Sequence, residues 1–273
     1  MLGALAGDII GSRFEWNHLK CKDFELFTSE SRFTDDSVHT VALAQSLLTG
    51  IPYQLVLRDY FLLYPDAGYG GRFRAWAATG ETGPYQSFGN GAAMRVSPVA
   101  WFYSDLPSVL EAAEQSAAVT HDHPEGIRGA QGVAAAIFLG RSGARKEEIR
   151  HYVGGTFGYD LHQTLDQLRP GFRFDVSCQG TVPPALIAFL ESTGFEDAIR
   201  NAVSLGGDSD TLACITGSVA EAFYGGVPEA IKAEIWGRLD QRMRAVVERF
   251  LAGLPAAAFT TNGGGHDGTG SFT

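Results

Sequence analysis

The chain has 273 residues, of which 45% are hydrophobic and 19% charged; this globular composition excludes a disordered chain and supplies a sizeable core. The formal net charge is -10, with no basic run of the kind duplex binding needs to neutralise phosphates, so no general nucleic-acid binding is expected. No run approaches the roughly 20 apolar residues that span a bilayer, and Asp8 interrupts the apolar N-terminal stretch too early for a signal peptide. The three cysteines, Cys21, Cys178 and Cys214, match no metal or redox spacing, as expected of reduced thiols in a cytoplasmic protein.

In chain order, most of the sequence reads as helix. Ser37 to Leu48 places Val38, Val41, Ala42 and Leu48 near one face and stops at Gly50, with Pro52 beyond. Ser108 to Val119 is rich in Ala and Glu. Pro124 to Leu139 opens with proline in its first turn and runs into a buried apolar segment. Ala144 to Val153, Pro184 to Leu190, Glu196 to Ser204 and Leu212 to Phe223 follow. Glu229 to Leu251 reads as one long amphipathic helix. The best strand-like run, Phe172 to Val176, is short, and no βαβ rhythm appears, so the expected class is all-α. Two loops are rich in glycine, Gly68-Tyr69-Gly70-Gly71-Arg72 and Ser87-Phe88-Gly89-Asn90-Gly91. One domain over residues 1–256 is expected, with a disordered tail over 257–273, in which metal binding by His266 and Asp267 is disfavoured against a flexible segment.

Two acidic clusters stand at predicted helix starts: Thr34-Asp35-Asp36, and Asp208-Ser209-Asp210-Thr211 after Gly206-Gly207. Each alone could be helix-cap chemistry, with acids placed at the positive end of a helix dipole. As a pair in reversed order, they offer four carboxylates and two hydroxyls to one point. Oxygen-only ligands suit hard cations such as Mg²⁺, Mn²⁺ or Ca²⁺ and suit zinc poorly. Four converging carboxylates call for about two divalent ions.

Four segments carry a resemblance: Gly7 to Glu15 (GDIIGSRFE), Thr34-Asp35-Asp36, Ser87 to Arg95 (SFGNGAAMR) and Gly206 to Thr211 (GGDSDT). In this order and spacing they resemble the signatures of the ADP-ribosylglycohydrolase family over roughly residues 1 to 225. The resemblance implies a compact, orthogonal multi-helix all-α domain with a binuclear Mg²⁺ or Mn²⁺ centre. It implies hydrolysis of the bond between the anomeric carbon of ADP-ribose and an acceptor on a protein or small molecule. Thr34, Asp35, Asp36, Asp208, Asp210 and Thr211 become the implied metal ligands, with Asp36 and Asp210 essential to catalysis. Glu15 becomes the implied acid, base or water-orienting group. Asp8, in the same segment, is given no catalytic role and is taken to organise a turn.

By the same resemblance, Ser87, Phe88, Gly89, Asn90 and Gly91 form the loop that receives the pyrophosphate, where glycines allow close approach and amides point at the anion. Gly70 belongs to a second loop near the phosphates, and His121 contacts ADP-ribose. His123 reads as a helix-start residue, and a metal role for the His121-Asp122-His123 run is disfavoured by the stronger oxygen set elsewhere. Arg95 stands equally as positive charge for the ligand or as partner of a structural acid. Arginine-linked ADP-ribose is the favoured substrate. Serine-linked or other O-linked ADP-ribose, including polymer or small esters, comes next. A catalytically silent ADP-ribose-binding relative is the other class, disfavoured because all six ligand positions and Glu15 are present. A metal-dependent phosphoesterase would leave the ordered motifs unexplained. The oxygen set suits Mg²⁺ and Mn²⁺ equally, and nothing in the sequence bears on oligomeric state.

Overall fold

The computed structural model describes residues 1–80 and 83–254. Helices follow one another as α1 (Leu2–Gly11), α2 (Asp35–Thr49), α3 (Tyr53–Leu63), α4 (Gly71–Thr79), α5 (Gly91–Met94), α6 (Ser97–Phe102), α7 (Leu106–Ala118) and α8 (Pro124–Arg141). They continue as α9 (Lys146–Phe157), α10 (Leu165–Leu168), α11 (Cys178–Leu190), α12 (Phe195–Val203), α13 (Ser209–Tyr224), α14 (Glu229–Arg238) and α15 (Gln241–Gly253). Among the described residues there is no sheet, only a single antiparallel bridge between Gly89 and Ser177, and no helix is long and apolar enough to cross a membrane. The all-α expectation holds. All three cysteines are free. The expected tail, with His266 and Asp267, lies outside the described residues.

Helix α13 is the axis of the core. It is buried from Ser209 to Ala222 and packs against α1, α8, α11 and α12. Its closest partner is α1, and the sequence shows why. Glycine recurs at every fourth position of α1, at Gly3, Gly7 and Gly11, which puts all three on one face. Opposite them α13 presents Ser209, Ala213 and Gly217, also four apart. A Cβ added at Gly3, Gly7 or Gly11 would run into the backbone of Gly217, Ala213 or Ser209, so the two helices touch backbone to backbone. A Gly7→Ala substitution is expected to push the helices apart and to destabilise the protein by about 3 kcal/mol, the upper range for overpacking a dense core. Urea unfolding checks this; an unchanged midpoint would show that the helices separate at no cost.

Three expectations need correction. The stretch Glu229 to Leu251 is two helices, because Leu239 turns extended and the Asp240 side chain caps α15 by accepting from the Met243 N–H. Phe172 to Val176 is not a strand: among the described residues it has no neighbouring strand, and its backbone bond to another segment is the Asn90 N–H to the Val176 carbonyl (2.7 Å). The helix expected from Pro184 starts six residues earlier at Cys178, with Ser177 capping the Gly180 N–H and both Pro183 and Pro184 inside it. The remaining expected helices are present with ends moved by at most four residues, and α8 starts at Pro124 as expected.

Candidate active site

The acidic motifs meet because α1, α2 and α13 meet. Thr34 is the N-cap of α2, extended in backbone, with its hydroxyl accepting from the Asp36 N–H (3.4 Å). Asp208 is the N-cap residue of α13 but makes no side-chain cap bond. Its Oδ2 instead accepts from the Asn90 amide (2.6 Å), which also donates to the Thr181 hydroxyl (3.1 Å). Helix-cap chemistry therefore accounts for Thr34 and leaves the Asp208 carboxylate unexplained. Thr211 ties the halves together by donating to Asp36 Oδ2 (3.3 Å). The other oxygen of Asp36 is buried without a hydrogen-bond partner.

Carboxylate oxygens of Asp8, Asp36 and Asp210 lie within 4.8 Å of one another, and so do those of Glu15, Asp208 and Asp210. Burial raises the pKa of every member, and Asp36 and Asp210 are pushed well above the usual carboxylate range, burial first and then the neighbouring Asp charges. Asp35, half-buried beside Gly68, is raised in the same way by burial, Asp8 and Asp208. Glu15 is raised to about 7, chiefly by burial and then by Asp208, with the Trp16 side chain bonding to it and pulling the other way.

Asp8 was missed as a site residue. It does not organise a turn; it sits inside α1, fully buried. Its Oδ1 accepts from the Thr34 hydroxyl (2.6 Å), and its Oδ2 accepts from the N–H groups of Thr34 (2.9 Å) and Ser37 (3.0 Å) and from the Ser37 hydroxyl. Those four bonds make Asp8 the anchor that holds the start of α2 against α1. The signal was the glycine stripe, which puts Asp8 next to the α13 contact.

A cavity of about 480 Å³ opens over the acids, inside the size range of small-molecule sites. Of the expected residues, Glu15, Asp35, Asp36, Gly70, Ser87, Gly89, Asn90, Gly91, His121, Asp208, Asp210 and Thr211 line it. Thr34 sits behind them on Asp8. Phe88 stands at the rim, 47% exposed, edge-on to the His123 ring at 5.6 Å, so it is not a core residue. Gly70 is the N-cap residue of α4, with open space where a side chain would be.

The loop from Ser87 to Gly91 is fastened on two sides. Gln86 adopts a positive φ of 54°, a conformation that costs free energy and needs support. Asp122 supplies it, accepting from the Gln86 backbone N–H (2.7 Å) and side-chain amide. The Gly89 N–H goes to Ser87 Oγ (3.2 Å) and the Asn90 N–H to Val176. Those two amides are thus spent inside the protein and are not offered to an anion, and the Asn90 side chain serves Asp208. His123 caps α8 through Nδ1, which accepts from the Glu125 N–H (3.1 Å), as a helix-start residue does. Arg95 pairs with no acid among the described residues; it donates to the Ser116 carbonyl and the Thr120 hydroxyl.

Two further cavity residues escaped sequence reading. His39 is buried with neither ring nitrogen hydrogen-bonded, edge-on to Phe73 at 4.4 Å, and burial with the nearby Arg95 charge holds its pKa well below the ordinary value. The Tyr69 hydroxyl is likewise buried and unpartnered. On the far side of the segment 171–176 lies a larger, more open groove of about 610 Å³. It lacks the converging carboxylates, so size alone does not mark it as the reactive site.

The ADP-ribosylglycohydrolase family model matches residues 1–259. The chain is 27% identical to the human ADP-ribosylhydrolase ARH3, with 84% of this chain and 86% of that protein aligned. It is 33% identical to the ADP-ribosylarginine hydrolase Tri1 of Pseudomonas putida over 57% of this chain and 44% of that protein. A solved structure described as an ADP-ribosylglycohydrolase-related protein complex superposes with a TM-score of 0.67 at 28% identity, covering 92% of this chain and 96% of that one. With the match running through all the motifs that meet at the cavity, the chain belongs to the ADP-ribosylglycohydrolase family.

Proposed function

We propose that the protein is a divalent-metal-dependent hydrolase that releases ADP-ribose from a modified acceptor, with arginine-linked ADP-ribose its preferred substrate. The observation that carries the reading is the ring of buried carboxylates at the base of the cavity, with Glu15 held at about 7 among them.

The donor set fits two Mg²⁺ or Mn²⁺ ions. It consists of oxygen atoms alone and includes an unpartnered buried oxygen on Asp36, and the one cation that acts on it, Arg32 near Glu15, is outweighed by burial and the neighbouring carboxylates. Asp35, Asp36, Asp208, Asp210 and Thr211 are the residues that would hold the ions, with Thr34 beside them. Asp8, whose oxygens already accept four bonds, orients the start of α2. Bound ions would offset the converging negative charge and polarise the ribose hydroxyls and a water.

The protein's own groups divide the remaining work. Glu15, with a pKa near neutrality, is suited to take a proton from the attacking water and to give one to the departing acceptor nitrogen or oxygen. The glycines at 89 and 91 leave room beside His121 for the diphosphate. At the mouth, Trp16 stacks on Phe174 with centroids 5.2 Å apart, and both rings are exposed. An aromatic face next to Glu15 suits a guanidinium leaving group through cation–π and ionic attraction. The similarity to a relative named as an ADP-ribosylarginine hydrolase supports the same preference.

The test is incubation with arginine-linked and serine-linked ADP-ribosyl peptides under Mg²⁺, Mn²⁺ or chelator, with free ADP-ribose measured. Metal-dependent release, faster from the arginine linkage, is expected. Equal release in chelator would sink the metal requirement, and faster release from serine would overturn the preference. Tight ADP-ribose binding with no release from either linkage would make the protein a silent binder.

A further inference from the structure

Arg95 is the largest fully buried side chain among the described residues. Its Nη2 donates to the Ser116 carbonyl (2.9 Å) and to Thr120 Oγ1 (2.8 Å), while its Nε and Nη1 are buried without partners beside the cavity. Thr120 Oγ1 in turn lies 2.7 Å from His121 Nδ1. A hydroxyl that accepts from a guanidinium keeps one proton to give. Among the described residues, His121 Nδ1 is the acceptor in reach of it. Nδ1 is then the lone-pair nitrogen, and in a neutral ring the proton sits on Nε2.

Nε2 faces the glycine loop. A Cβ placed on Gly91 would lie 3.1 Å from it and one on Gly89 would lie 3.6 Å from it. Both positions lack a Cβ, so space is left in front of the donor.

Resting on the function proposed above, we infer that Arg95 and Thr120 are positioning residues that lock His121 as the Nε2–H tautomer and aim that donor at the diphosphate of the bound ADP-ribosyl group. A diphosphate offers acceptors and no donors. The opposite tautomer would present a lone pair to it, which loses a charge-assisted hydrogen bond and adds repulsion. Burial and the Arg95 and Arg72 charges keep the imidazole neutral, so its single N–H has to be on the correct nitrogen. Arg95 adds a fixed positive charge that the protein leaves without a carboxylate, and a bound anion would lower the cost of burying it.

The experiment compares wild type with Thr120→Val, which keeps the shape and removes the hydroxyl, and with Thr120→Ser, which restores it. ¹⁵N-edited NMR of the ligand-free proteins reads the His121 tautomer, and calorimetry with ADP-ribose reads affinity. Wild type and Thr120→Ser are expected to show the Nε2–H form. Thr120→Val is expected to show a mixture of tautomers and to bind about tenfold more weakly, the effect of one hydrogen bond to a charged group. An Nδ1–H tautomer in wild type would overturn the proposal. So would wild-type affinity in Thr120→Val, or a loss that Thr120→Ser does not rescue. Absence of ADP-ribose binding by wild type would refute the proposed function instead, and the NMR comparison would still decide the relay.

Discussion

Asp210→Asn is expected to lower the release of ADP-ribose by about a thousandfold or more and, in the same protein, to raise the melting temperature measured in chelator. The first effect follows from removing one charged ligand of the proposed metal centre, which is asked for several kcal/mol of transition-state stabilisation, each 1.36 kcal/mol being about tenfold in rate. The second follows from the neighbours. Asp210 is buried, and Asp208, Asp36, Glu15 and Asp8 all push its pKa up. The amide has nearly the same shape and no charge, so it relieves repulsion that the metal-free carboxylate must bear. Asp36→Asn, in the same surroundings, is expected to behave alike. Site residues selected for chemistry are often poor choices for stability, and the two readouts should therefore move in opposite directions. Turnover equal to wild type would refute the site assignment. A lower melting temperature in chelator would show that Asp210 serves the fold.

With no metal bound, the protein is expected to lose stability as pH rises. The sign comes from the carboxylates. Asp8, Asp35, Asp36, Asp208, Asp210 and Glu15 all have folded pKa values above their ordinary ones. Above the unfolded pKa the folded state therefore binds more protons than the unfolded state, and stability falls with pH. The window opens near the ordinary carboxylate values and extends at least to the Glu15 value of about 7. Melting temperatures in chelator should decline from about pH 5 to about pH 8, whereas most proteins hold or gain stability over the lower part of that range. Excess Mg²⁺ or Mn²⁺ should flatten the decline. At a hundredfold excess over the dissociation constant the gain is about 2.7 kcal/mol, or several degrees in a chain of this size. A melting temperature that is indifferent to metal, and that rises with pH in chelator, would refute this account of the acids.

The parts of the site that announce themselves in sequence are those built by neighbours in the chain. Thr34-Asp35-Asp36 and Asp208 to Thr211 were legible because a cap residue, its acids and the following helix lie within a few positions. The same holds for His123 at the start of α8. What stayed hidden depends on pairs far apart. Nothing near Asn90 signals that its amide is used by Asp208, 118 positions away. Asp8 lies in a run of Gly, Ala, Leu and Ile whose helical face is marked by glycines, which carry little hydrophobic periodicity, so α1 itself went unread. His39 looked like one more residue of an amphipathic helix, and only the fold shows that its ring meets the cavity with both nitrogens free. The break at Leu239 and Asp240 has no proline, and its nearby Gly237 falls inside α14 rather than after it, while Asp240 reads equally as a charge on a helix face.

The backbone contact between α1 and α13 also bears on when the site comes into being during folding. The helices it joins are remote: Glu221 of α13 and the Met1 amine ahead of α1 bond at 2.7 Å across 220 positions. Contacts of such separation carry a large loop-closure cost and are slow to form. Asp8, Glu15 and the start of α2 are synthesised well before Asp208 and Asp210, which follow Asp8 by 200 positions and more. A nascent or half-folded chain thus holds fragments of the acidic cluster but no complete one. Cation capture by the full set should mark the end of folding, acting as a latch that slows unfolding and leaves the folding rate unchanged.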